Sequence, residues 1–223
     1  MLVATASVGC GVGERAGASA ALGAELIAAA ERGDAPRVRA LLRRGADVGA
    51  RDGRGRTALT AAAYGNHVAA ARVLIRAGAD VNVKDATQQS PFLIATSEVG
   101  DDPALLELAL AAGADVDDTD GFNGTGLIRA ADRGHPRIVR RLLAAGTDAD
   151  HVNRLGWTAL LEAVILGDGG RPHVETVRAL VDGGADVNLP DAQGTTPLAH
   201  AESRGQDQIA RILRRAGARR SSS

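Results

Sequence analysis

The sequence predicts an all-α solenoid of about six helix-turn-helix repeats joined by short hairpin-like turns. Three observations carry that expectation. First, a short block recurs: Gly-Ala-Asp-Val stands at 45–48, 78–81, 113–116 and 184–187, a looser Gly-Thr-Asp-Ala at 146–149, and Gly-Ala closes the series at 217–218. Second, the anchoring glycines Gly45, Gly78, Gly113, Gly146, Gly184 and Gly217 are 33, 35, 33, 38 and 33 residues apart, a base period of 33 with insertions of two and five. Such a period marks stacked supersecondary units. Third, 45% of the 223 residues are apolar but only 2% are aromatic, and 28 are Gly. A core of Ala, Leu and Val suits small, closely packed helices with Gly at most of their ends.

The copies fall near 20–51, 52–84, 85–119, 120–152, 153–190 and 191–220, each reading as turn, helix, turn, helix. In 52–84, Asp52-Gly53-Arg54-Gly55 is a turn signal. Thr57 follows as the N-cap of a first helix whose Leu59, Ala62 and Ala63 share one side. Asn66 ends that helix in the left-handed conformation that Asn tolerates. A second helix carries Val73, Leu74 and Ile75, Gly78 caps it, and Asp80-Val81-Asn82 leads extended into the next turn. In other copies Gly33, Gly134, Gly167 and Gly205 take the place of Asn66, and Ser90, Thr125, Thr158 and Thr196 supply the N-cap. Pro91 and Pro197 follow at the first helical position, where a missing N–H costs nothing. One such helix pair cannot bury its own apolar face, so neighbours stack and the end copies turn a polar face outward. Arg214 stands in the last copy where inner copies carry Leu42, Ile75, Leu110, Leu143 or Val181, and so reads as part of a cap.

This pattern resembles the ankyrin repeat over about residues 20–220. Thr196-Pro197-Leu198 matches that family's Thr-Pro-Leu motif, Thr57-Ala58-Leu59 and Thr158-Ala159-Leu160 match it with Pro lost, and Gly134-His135 matches its Gly-His. The family's histidine in the first helix is absent, its place taken by Thr60, Leu93, Ile128, Leu161 and Ala199. The resemblance implies a non-catalytic, monomeric interaction module that grips a protein or peptide through a concave face of turn tips and first helices. It also implies where contacts lie: at the two residues that follow the turn's Asp, at the residue before the N-cap, and at the exposed end of the first helix. Those places hold Leu155, Trp157, Ile165 and Leu166 in one copy, Phe122 in the copy before it, and Tyr64 in an earlier one. Apolar and aromatic anchors ringed by polar groups have the composition of binding hot spots. Packing across adjacent turns is the other reading of Trp157.

First helices also carry Arg129, Glu162 and His200 at matching places in three successive copies, with Asp132, Arg133 and Arg204 one turn further on. They read either as a ladder of exposed ion pairs, each worth little, or as a polar strip that orients a peptide.

Other functions find less support in the residues. With 26 basic and 27 acidic residues the net charge is −1, which argues against nucleic acid as a partner. Residues 1–84 carry +5, 85–128 carry −9 and 129–223 carry +3, so the third copy is an acidic segment that either steers a partner or is solvated surface. A single Cys excludes an internal disulfide and any multi-Cys zinc site. His67 and His135 open second helices, His151 falls in a turn and His173 beside an insertion, and none stands at metal-ligand spacing from another His. No nucleophile elbow, phosphate loop or dinucleotide fingerprint occurs, so no catalytic, cofactor or metal site is expected. No uncharged apolar run reaches the ~18 residues of a transmembrane helix.

Residues 1–19 do not fit the repeat. Leu2–Gly9 ahead of Cys10, with the small-residue stretch after it, reads in two ways. It is the remnant of a bacterial lipoprotein signal, with Cys10 lipidated and a flexible tether following, which places the chain in the cell envelope if the true start lies upstream. Otherwise it is a disordered start with an idle Cys, and the chain is cytoplasmic. Residues 221–223 read as a tail, and the insertion 168–172 as a mobile surface loop or a second contact edge.

Overall fold

The structure, a computed structural model, describes residues 11–220, with side chains from residue 19 onward. Cys10, and the lipidation reading with it, lies outside the described residues, as does the tail 221–223. The described residues are helical apart from turns and one isolated bridge between Thr119 and Thr125, and they form two compact units that divide between Asp80 and Val81.

In the first unit, α1 (Gly11–Glu31) packs on α2 (Ala35–Arg43) and α3 (Ala58–Tyr64), and α4 (Val68–Arg76) packs on α2 and α3. Leu26, Leu41, Leu59 and Leu74 are fully buried between them, while Ala29, Ala30, Ala62 and Ala63 let α1 and α3 approach closely. The extent of α1 corrects an expectation: segment 11–19, read as a tether, is helical backbone continuous with the first repeat helix. Extending a formed helix needs no new nucleus, so the backbone of this segment continues α1 despite its three glycines.

The second unit holds α5 (Pro91–Ser97), α6 (Ala104–Ala111), α7 (Gly126–Asp132), α8 (Pro136–Ala144), α9 (Ala159–Ile165), α10 (Arg171–Asp182), α11 (Pro197–Ser203) and α12 (Asp207–Arg215). First helices α5, α7, α9 and α11 pack side by side, and α8, α10 and α12 form a second row against them. Phe92, Leu127 and Leu160 of the first row, and Ile138, Leu142, Leu180 and Leu213 of the second, are all fully buried. Each such side chain stabilises the fold by roughly 1.5–3 kcal/mol.

Local chemistry explains where these helices start. Thr57, Ser90, Thr125, Thr158 and Thr196 each accept the backbone amide three residues on. Some caps also reach the far end of their own copy: the Ser90 hydroxyl donates to Asp118 at 2.9 Å, and that of Thr196 to the Arg219 carbonyl at 2.8 Å. The ends of first helices follow the expected pattern with one correction. Asn66 (φ 51°), Gly33, Gly134 and Gly205 are left-handed, but in the fifth copy the left-handed residue is Gly169, not Gly167. The insertion there is no loose loop. Asp168 accepts the Gly170 amide at 2.8 Å and lies 3.0 Å from His173 Nδ1, and α10 starts at Arg171, giving 12 residues where α8 has 9.

Side chains at the starts of second helices tie copies together. His67 Nε2 lies 3.1 Å from the Glu31 carbonyl oxygen, His135 Nδ1 3.3 Å from that of Thr96, and the Gln206 amide donates to the carbonyls of Val164 and Gly167 at 3.0 Å. Arg214 is exposed and bonded to Glu202, whereas Leu42, Ile75, Leu110, Leu143 and Val181 are half-buried at the matching places.

Candidate binding cleft

The site is built from the turns that precede first helices. In each, one side-chain oxygen of the leading Asp or Asn closes the turn by accepting two backbone amides. Asp120 Oδ1 accepts those of Phe122 and Gly124 at 2.8 and 2.9 Å, and Asn153 Oδ1 those of Leu155 and Trp157 at 2.9 and 3.1 Å. Asp191 Oδ1 accepts those of Gln193 and Thr195, both at 2.9 Å. The turn then passes through a left-handed residue: Asn123 (φ 60°), Gly156 (φ 80°) or Gly194 (φ 80°). This fixes the direction in which Phe122 and Leu155 leave the chain.

The second side-chain atom of the same Asp or Asn reaches the residue nine positions on, in the first helix. Asp120 Oδ2 accepts from Arg129 at 2.8 Å, the Asn153 amide donates to Glu162 at 2.7 Å, and Asp191 Oδ2 lies 2.7 Å from His200 Nε2. The ladder of exposed ion pairs among Arg129, Glu162 and His200 is therefore not what forms. Each binds its own turn, whose leading side chain lies within reach nine residues back. The signal for this was present at fixed spacing: Asp with Arg, Asn with Glu and Asp with His, nine residues apart. Where the helix residue is acidic, the turn residue is the neutral amide.

Burial gives the three pairs different electrostatics. Burial opposes ionisation of Asp120, but the amides of Gly124 and Phe122 and the Arg129 guanidinium together outweigh it, holding its carboxyl below the usual range. Asp191 is held low in the same way by Thr195, His200 and Gln193 against its burial. Glu162 goes the other way. It is only 5% exposed, and burial, reinforced by Asp132 and Asp120, raises its pKa to about 7 against the Asn153 hydrogen bond.

Between these turns lies a cleft of about 200 Å³ whose lining includes Asp120, Arg129, Asp132, Asn153 and Glu162. Phe122, Leu155 and Leu166 rim it, 70%, 55% and 51% exposed, fractions large enough that these apolar side chains serve no core. Arg129 crosses to α5, donating to Ser97 at 2.8 Å and to Glu98 at 3.2 Å. Of the residues expected at contacts, the cleft gathers Phe122, Leu155, Leu166, Arg129 and Glu162. Trp157 and Ile165 are half-buried and outside its lining, as is His200 on α11. Tyr64 belongs to the first unit, where it is exposed at the end of α3. Asn153, Asp120 and Ser97 were not foreseen. Among the described residues no group of three or more His, Cys, Asp or Glu is arranged to hold a metal, and no helix is long and apolar enough to cross a membrane.

Comparison with known proteins places this geometry in context. The chain matches the family described as ankyrin repeats (3 copies) over residues 26–120, 92–191 and 127–221. It is 40% identical over 198 residues to the ankyrin repeat protein YahD of Escherichia coli K12, a match covering 88% of this chain and 98% of YahD. It is similar to the crystal structure of an ankyrin repeat domain from Acinetobacter baumannii AYE, with TM-score 0.81, 45% identity, and 87% and 98% of the two chains covered. It is also similar to that of the ankyrin repeat protein EF0377, with TM-score 0.79, 33% identity, and 85% and 96% covered.

Proposed function

Because the chain belongs to the ankyrin-repeat family, whose members are generally non-catalytic protein-interaction modules, we propose that it binds a protein or peptide partner through the turn tips and first helices of its second unit. One observation carries this reading: Phe122, Leu155 and Leu166 project into solvent around one cleft with a polar floor. Large apolar side chains gathered at one place in water, rimming polar groups, have the make-up of an interface centre. Trp157, half-buried on the same turn as Leu155, adds an aromatic edge beside it.

The test is a double variant, Phe122→Ser with Leu155→Ser. Neither side chain serves the core, so the thermal midpoint should stay within a few degrees of wild type. Proteins retained from native lysate by immobilised wild type, quantified by mass spectrometry, should be lost with the variant. An unchanged retention profile would overturn the assignment of this face.

A further inference from the structure

The cleft has a charge pattern that specifies what enters it. Glu162 is a buried carboxyl whose hydrogen-bond partner is a neutral amide, Asn153 Nδ2 at 2.7 Å, and no cation among the described residues pairs with it. The guanidiniums nearby are already paired with other carboxylates, Arg129 through its two terminal nitrogens while its Nε has no partner. Arg129 pairs with Asp120 at 2.8 Å and Glu98 at 3.2 Å, and Arg133 lies 3.7 Å from Asp132 and 4.0 Å from Glu98. Carboxyls thus outnumber guanidiniums around the cleft, with the surplus at Glu162. A buried carboxylate without a counter-charge is costly, and an incoming cation relieves that cost.

Resting on the interaction-module reading above, we infer that this cleft takes the lysine or arginine side chain of a partner peptide, with an apolar neighbour of that residue on Phe122, Leu155 and Leu166. A volume of about 200 Å³ admits one long side chain. The rim suits such a chain: Phe122, Leu155 and Leu166 offer apolar surface to its aliphatic stem, and its charge enters the cleft that Glu162 lines. An acidic side chain would meet Asp120, Asp132 and Glu162 together and is disfavoured.

The fit makes binding depend on pH. The free Glu162 carboxyl titrates at about 7 because it is buried, and a bound cation favours its ionised form. Affinity therefore rises with pH, by about tenfold between pH 6 and 8, and levels off above that range. The elements packed against α9 carry Arg129 and Asp132 on α7, with Arg133 just after it, His200 and Glu202 on α11, and Arg171, His173, Glu175, Arg178 and Asp182 on α10. Asp132 and Asp120 of the preceding turn act on Glu162 and hold it protonated.

Selection of a randomised linear heptapeptide library on the full chain at pH 8 tests the inference. Enriched peptides should share a basic residue beside an apolar one. The affinity of one such peptide should fall at least tenfold at pH 8 in Glu162→Gln, which keeps the Asn153 hydrogen bond, and its pH profile should flatten. His200→Gln should keep the profile, and replacing the peptide's basic residue by norleucine should reproduce the loss. Enriched peptides without a basic residue, or a basic peptide bound equally by Glu162→Gln, would overturn the inference. If those peptides still require Phe122 and Leu155, the interaction reading survives; if nothing is enriched, or binding ignores both variants, both readings fall.

Discussion

Glu162 is the residue whose chemistry departs furthest from its counterparts in neighbouring copies, and its cost can be read in solution. Its carboxyl titrates at about 7 in the folded chain, from an ordinary value of 4.5. The folded state therefore holds a proton there that the unfolded state has released, and stability falls as pH rises from about 4.5 to 7. A shift of that size corresponds to about 3 kcal/mol. Glu162→Gln should lift stability toward that amount at pH 8 and leave it nearly unchanged at pH 4.5, measured by urea unfolding at both. Equal shifts at the two pH values would remove the burial argument. The partner residue gives the converse. Asn153→Asp sets a second carboxyl 2.7 Å from the first while losing the amide donor, and should cost about 1–3 kcal/mol, more at pH 8 than at pH 5. Asp120 and Asp191, held below their ordinary range, act in the opposite sense: their stabilisation is present above about pH 4 and is lost as acid protonates them. The nine-residue pairing explains why the sequence showed three polar residues at one height yet not their partners. Each partner lies across a turn, and only the joint change at Asn153 and Glu162 betrays it.

Helices and turns follow the same division between local and distant chemistry. The N-caps of α3, α5, α7, α9 and α11 were legible because a hydroxyl and the amide it serves are three residues apart. The cap of α8 was not. His135 makes no side-chain cap bond, and the amides of Arg137 and Ile138 go instead to Asp101 of the preceding copy, at 2.8 and 3.0 Å. Asp101 stands in the two-residue lengthening of the third copy, so that insertion serves α8, the second helix of the following copy. Removing a cap costs about 1 kcal/mol, and Asp101→Ala should lower stability by that amount, read as a shift of the urea midpoint at constant slope. No change would mean that water serves those amides equally well. The insertion at 168–172 misled for a related reason. Two glycines suggested mobility, but Gly169 is there for its positive φ (70°), and the Asp168 carboxylate closes the turn around it. Similarly, segment 11–19 looked like a tether by composition, whereas helix propagation from an existing first turn is decided by the neighbouring repeat.

At the scale of the molecule, the 33-residue period carried the fold into view because every copy repeats the same buried positions: Leu59, Phe92, Leu127, Leu160 and Leu198 stand at one place in successive first helices. A stack of this kind is stabilised between nearest neighbours, so stability is shared unevenly along it. Within the second unit, α9 packs on α7, α10 and α11, whereas α12 packs mainly on α10 and α11. Its outward side carries Arg211, Arg214 and Arg215, all exposed, in place of a further apolar layer. The final pair therefore opens without disturbing the copies before it, as local opening spans a range of free energies below that of global unfolding. Amide hydrogen exchange followed by mass spectrometry should show α12 exchanging at least tenfold faster than α7 and α9 under native conditions. Leu213→Ala, at a fully buried position, removes about 2–4 kcal/mol of packing from that pair. It should accelerate exchange in α11 and α12 far more than in α7. If the variant instead accelerated all helices of the unit equally, the unit would be one cooperative block, and the cleft beside Glu162 would share its fate with α12.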